Sequence, residues 1–178
     1  MRRLILFRHA KAEAKPPGRE DIERALTERG RRDAMIVGRV LADAGLTPDL
    51  ALVSTSARTR ETWDQARVAF PAAQARFCNA LYNAAPEEVE EEVHLAADEA
   101  ETLMVVGHNP SLQELAVNLL IDGGAGPAEI ERVAARFPTA TAAAFRIDEA
   151  GRARLDGLFH PKDYAGDDDA APVAGEAS

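Results

Sequence analysis

Two arginines and two histidines stand where a folded chain could gather them. Arg8 and His9 directly follow the apolar run Leu4-Ile5-Leu6-Phe7, Arg58 follows Leu50-Ala51-Leu52-Val53-Ser54, and His108 follows Leu103-Met104-Val105-Val106-Gly107. Imidazole can act as a nucleophile or acid-base group near neutral pH, and guanidinium grips phosphoryl oxygens in a fixed fork. Each group alone has an ordinary explanation. An Arg-His pair after a strand is commonly a solvated strand end, and Arg58 reads equally as a surface ion-pair partner near a plain Ser54 or Ser56 helix cap. What favours chemistry is repetition: an apolar strand delivering a polar group recurs three times.

The elements follow from what must position these groups. Short aliphatic runs bounded by turn residues suit core strands of a sheet covered on both faces, and such sheets collect ligands at the carboxyl ends of their strands. After His108, Asn109 is expected to cap a helix with Pro110 at its first position, leaving free backbone N–H groups for an anion. Glu13 to Asp21 reads as a charged loop on the His9 side, where Lys11 and Lys15 either attract an anion or merely solvate the loop.

A helix is expected from Thr27 to about Ala44, with Ala34, Val37, Leu41 and Ala44 on its buried face, Arg31, Arg32 and Arg39 on its wet face, and Gly45 ending it. The helix carrying Arg58 packs Trp63, Ala66 and Phe70 and stops at Pro71. A short strand near 76–78 precedes an acidic helix over 87–97, whose stripe is Val89, Val93 and Ala96; His94 reads as structural or exposed. Residues 111–121 form an amphipathic helix broken by Asp122-Gly123-Gly124-Ala125-Gly126-Pro127, and no element is assigned from there to Phe137. Phe137 to Ile147 and Arg152 to Phe159 read as a final strand pair.

Bulk properties narrow the function. A chain of 178 residues, 46% apolar, has enough length for one ordinary core. The single cysteine, Cys78, excludes an internal disulfide and reads as a small core residue. No signal-like start and no membrane-length apolar run is evident, so a reducing cytoplasm is the expected location and no membrane partner is expected. A net charge of −9 argues against nucleic acid. Residues 165–178 hold Asp167, Asp168, Asp169 and Glu176 without Lys or Arg and read as an acidic disordered tail after a domain over 1–164. No set of residues has metal-ligand spacing.

The chain resembles the histidine phosphatase superfamily, the phosphoglycerate mutase-like proteins, and within it the short SixA-like phosphohistidine phosphatases. Leu6-Phe7-Arg8-His9-Ala10 corresponds to the family's R-H-G/A signature, Ser54 to Thr62 to its S-x-x-x-R-x-x-x-T element, and Val106-Gly107-His108-Asn109-Pro110 to its late G-H element. Ala25-Leu26-Thr27-Glu28-Arg29-Gly30 and Phe159-His160-Pro161-Lys162-Asp163 extend the likeness over roughly residues 2–164. Their order makes it specific where the R-H pair alone is weak. The resemblance implies a three-layer α/β/α sandwich with a mostly parallel sheet. It implies that His9 takes the phosphoryl group, that a phosphohistidine enzyme forms and that water releases phosphate. Arg8, Arg58 and His108 would hold the phosphoryl oxygens, helped by Asn109 and Lys11, with no metal or cofactor.

This chain departs from the pattern at Asn83, where relatives often carry an acid for ester cleavage; Glu13, Glu87 and Glu88 are the substitutes within sequence reach. Imidazole is a better leaving group than alkoxide, so a missing acid matters less for phosphohistidine. The expected substrate is therefore a histidine-phosphorylated signalling or phosphotransfer protein, with phosphate or sulfate as a pocket anion. The alternatives are a phosphomonoesterase for small phosphate esters and a non-catalytic phosphate-recognising module.

Overall fold

The computed structural model describes residues 1–15 and 17–164; the acidic segment 165–178 lies outside them. Six strands form one sheet: β1 (Arg3–Arg8), β2 (Leu50–Ser54), β3 (Gln74–Cys78), β4 (Thr102–Gly107), β5 (Ala142–Ile147) and β6 (Ala153–Phe159). Their order is β3-β2-β4-β1-β5-β6, with β3, β2, β4 and β1 mutually parallel and β5 antiparallel to both of its neighbours. Among the described residues five α-helices flank it: α1 (Glu28–Asp43), α2 (Ala57–Ala66), α3 (Pro86–Ala96), α4 (Ser111–Asp122) and α5 (Pro127–Ala135). This is an α/β fold with helical layers on both faces, as the sequence implied.

Strand alternation builds the two cores. Leu4 and Leu6 point into a core with Leu52, Leu103 and Val105, closed by Val89 and Val93 of α3 and Leu112 and Leu115 of α4. Ile5 and Phe7 point the other way, against Val37 and Leu41 of α1 and Trp63 of α2. A strand whose successive residues feed opposite cores must be apolar throughout, which explains the unbroken run at Leu4–Phe7. It also fixes register, because a slip by one residue would exchange the two sets.

Helix ends follow their local chemistry. Thr27 accepts the Gly30 N–H at 2.9 Å to open α1, and Ser56 accepts the Thr59 N–H at 3.4 Å to open α2. The residues before α1 are tied to the segment after His9: Ala12 bridges Leu26, and the Thr27 N–H donates to the Lys11 carbonyl at 2.9 Å. Gly30 is required there, because a Cβ would collide with the Lys11 carbonyl oxygen.

Three expectations need correction. Asn109 does not cap α4. The helix begins at Ser111, Pro110 stands at the cap after a cis Asn109–Pro110 bond, and the Asn109 amide is engaged elsewhere. The penultimate strand begins at Ala142, five residues later than expected. Pro138 has no N–H to give a ladder, the Thr141 N–H turns back to the Pro138 carbonyl, Ala140 has φ +59°, and the Phe137 carbonyl is directed at Arg8. Finally, α5 stands where no element was assigned. Pro127 occupies its first turn, and only Val133 of its nine residues is fully buried, so its apolar periodicity is faint.

Candidate active site

The carboxyl ends of β1, β2 and β4 meet at one edge because the sheet inserts β4 between β1 and β2, with Arg8 in register with Gly107 and Val53 with Val106. The chain order therefore reverses direction here, which opens a crevice at the strand ends. A cavity of about 740 Å³ occupies it, lined among others by Arg8, His9, Arg58, His108, Asn109 and Lys11. All six candidate residues are brought together. Its rim residues Lys11, Asn83, Ala85, Pro110 and Glu114 are exposed, so the cavity is open to solvent.

His9 is held by its own backbone. Its N–H donates to the Gly107 carbonyl at 3.0 Å, its carbonyl accepts the Ala140 N–H at 3.1 Å, and the next N–H, of Ala10, donates to the Thr62 hydroxyl at 3.0 Å. The ring Nδ1 lies 2.8 Å from the Ala10 carbonyl oxygen. A carbonyl only accepts, so Nδ1 carries the proton and Nε2 keeps its lone pair. Burial pushes the His9 pKa down to about 4, reinforced by Arg58, Arg8 and Arg24 against the opposing Ala10 hydrogen bond. At neutral pH the ring is neutral, with one nitrogen free for attack.

His108 lies beside it, with ring centroids 5.3 Å apart. Its Nε2 is 2.8 Å from the Ser54 hydroxyl, while Nδ1 is buried without a hydrogen-bond partner among the described residues. Burial first, then His9 and Arg58, lower its pKa to about 3. The Tyr82 ring meets it edge-on at 5.7 Å.

The two arginines are anchored differently. Arg8 donates from Nη1 to the Phe137 carbonyl at 2.7 Å, and its buried Nε has no partner among the described residues. Arg58 is not the exposed ion-pair partner its sequence position also allowed: its side chain is 8% exposed. It donates from Nη2 to Asp21 Oδ2 at 3.0 Å and from Nη1 to the Asp21 carbonyl at 2.8 Å. Asp21 also accepts from Arg24 Nη1 at 3.0 Å and from the Tyr82 hydroxyl at 3.3 Å. The Arg24 hydrogen bond, followed by the charges of Arg58 and Arg24, holds the Asp21 carboxyl below the usual carboxylate range.

Asp21, Arg24 and Tyr82 are thus site residues that sequence reasoning did not single out, and Ser54, read there as a plain cap and as the start of the family element, lies instead against His108. Asp21 and Arg24 begin and close a short helical turn whose only signal was its charge, and Tyr82 reaches the site from a turn after β3. Asn109 donates to Gln113 Oε1 at 2.9 Å and to the Phe137 carbonyl at 3.2 Å, so it braces the wall that Arg8 also holds. Of the substitute acids, Glu88 lines the cavity, but its carboxylate accepts the Ala85 N–H at 2.7 Å; Glu13 and Glu87 are exposed and not among its lining residues. Asn83, with φ +58°, stands at the rim.

The sequence profile of the histidine phosphatase superfamily, branch 1, matches residues 4–101. The chain belongs to this superfamily. By this match it is a phosphatase of that group. A Mycobacterium tuberculosis protein of unassigned activity, Rv1276c, is 37% identical over 162 residues, spanning 88% of this chain and all of that one. The Agrobacterium tumefaciens protein named for the phosphohistidine phosphatase SixA superposes with a TM-score of 0.80 at 31% identity, over 90% of this chain and 98% of that one. The protein histidine phosphatase SixA in complex with tungstate superposes at 0.74, with 20% identity over the same 90% and 98%, a likeness of fold.

Proposed function

We propose that this phosphatase removes phosphate from histidine-phosphorylated protein domains through a covalent intermediate on His9. The observation that carries the reading is the state of the carboxylates. Asp21, the acid nearest the arginines, is held ionised by Arg24 and Arg58, and Glu88 is committed to a backbone N–H. An ester needs a proton delivered to its departing alkoxide. A phosphohistidine that carries a proton on its second ring nitrogen departs as neutral imidazole and needs none.

His9 Nε2 attacks phosphorus, the substrate N–P bond breaks, and neutral imidazole leaves with the electron pair. The unpartnered Arg8 Nε, and His108 Nδ1 in the tautomer whose Nε2 accepts the Ser54 hydroxyl, donate with Arg58 to the phosphoryl oxygens and stabilise the charge spread over them. Arg58 must then share its guanidinium between Asp21 and the phosphoryl group. Water attacks the phosphoenzyme, the His9 N–P bond breaks, the water proton passes to phosphate or solvent, and His9 is neutral again. The open rim supports a protein substrate, since a side chain projecting from a folded domain needs unobstructed access. The SixA relatives point the same way.

A second reading, cleavage of small phosphate esters, is favoured by one observation: Glu88 and Glu114 are at the cavity wall. The test is phosphate release from a phosphohistidine-bearing phosphotransfer domain, with p-nitrophenyl phosphate in parallel. Release from the domain, lost in His9→Ala, is expected. Release from the ester alone would establish the small-molecule reading, and binding without release from either would leave a phosphate-recognising module.

A further inference from the structure

A second groove, of about 400 Å³, adjoins the active-site cavity, and Lys11 and Thr139 line both. Its walls carry Lys11, Arg29, Arg136 and Lys162 against one acidic residue, Asp33, which Arg29 meets at 3.6 Å. Its floor includes His160, whose Nδ1 lies 2.9 Å from the Thr141 hydroxyl. This concentration of cations stands out on a chain of net charge −9. It continues the positive wall of Arg8, Arg24 and Arg58, so one cationic track runs from the reacting centre onto the outer surface.

We infer that this groove is the docking surface for an acidic patch of the phosphorylated partner protein, adjacent to its phosphohistidine. The inference rests on the protein-substrate reading proposed above. The arrangement of the cations selects the occupant. They come from four separate segments: the residues after β1, the first turn of α1, the end of α5 and the short helical turn after β6. All four are exposed, on long side chains. A site for one small anion gathers buried donors on a point, as Arg8 and Arg58 do in the cavity. Exposed cations spread along a groove instead complement a distributed acidic surface, where they raise encounter rates and set orientation more than they add affinity. An extended nucleic acid would meet the repulsion of the acidic remainder of the chain.

The test uses the full-length chain with Arg136→Glu and Lys162→Glu, singly and together. Neither residue lines the active-site cavity. The double variant is expected to raise KM for the phosphohistidine domain by roughly tenfold or more, within the range of electrostatic steering, and to leave kcat nearly unchanged. Turnover of p-nitrophenyl phosphate should stay within about twofold of wild type, and the decline of kcat/KM with added salt should flatten for the protein substrate only. Unchanged kinetics on the domain, with wild type active on it, would overturn the docking surface alone. Equal losses on both substrates would also overturn it, because the charges would then act on the reacting centre. A wild type inactive on the domain would contradict both this inference and the function it rests on.

Discussion

At the scale of single residues, the site is organised around keeping one imidazole neutral. The Ala10 carbonyl fixes the His9 tautomer, while burial and three nearby arginines oppose its protonation. The His9 ring should therefore titrate by NMR with a midpoint near 4; a midpoint near the ordinary 6.5 would mean that neither burial nor the arginine-lined wall governs the ring. The same shift has a consequence for stability. Above about 6.5 neither folded nor unfolded chain protonates these rings. Between that value and the folded values, about 4 for His9 and 3 for His108, the unfolded chain binds protons that the folded one refuses, so stability falls as pH falls through this window. Thermal melts from pH 7 to 4 should show that decline, and His108→Ala should flatten part of it. The place of His9 in the cavity was legible from its position at a strand end and from the family pattern. Its tautomer was not, because the deciding carbonyl belongs to the next residue and depends on backbone direction.

Among the elements, the segment between β1 and α1 does more than connect. It hands Asp21 to Arg58 and Arg24, and it is zipped at its base by the Ala12–Leu26 bridge and the Thr27–Lys11 contacts. Asp21→Asn removes the charge but keeps a carbonyl oxygen, so it should cost about 1 kcal/mol in denaturant unfolding, less than a buried hydrogen bond to a charged partner because the Asp21 side chain is 41% exposed and screened by solvent. Its KM should shift as Arg58 loses a fixed partner; an unchanged unfolding midpoint and unchanged KM would show the pair to be idle. Gly30→Ala should destabilise by about 1–3 kcal/mol, since its Cβ meets main chain that has little room to yield. An unchanged melting temperature would refute that packing. The helix caps at Thr27 and Ser56 were readable because capping is local. The late start of β5 and the existence of α5 were not: the first depends on Phe137 being held by Arg8 at the end of β1 and by Asn109 just after β4, and the second on tertiary cover for a nearly featureless stripe.

For the whole molecule, the sheet order explains why four polar side chains from distant parts of the sequence share one cavity. The apolar runs announced buried strands, and their carboxyl ends announced where ligands gather, so the α/β architecture and the core of the site could be read in advance. Which strands would be neighbours came from the family resemblance, since no pattern within a run states its partners. The uneven charge of the surface was hidden for a similar reason. A net charge of −9 says nothing of the cationic track that Lys11, Arg29, Arg136 and Lys162 form only after folding.

A phosphoryl group carried on His9 can be seen directly. Phosphohistidine domain labelled on phosphorus would be mixed with the enzyme, quenched within milliseconds under alkaline denaturing conditions that preserve N–P bonds, and the enzyme digested for peptide mapping. The label should appear on the peptide containing His9, rise before free phosphate does, and be absent from the His9→Ala protein. Phosphate released without any labelled enzyme, or label on His108 with His9 unmodified, would rule out His9 as the phosphoryl carrier.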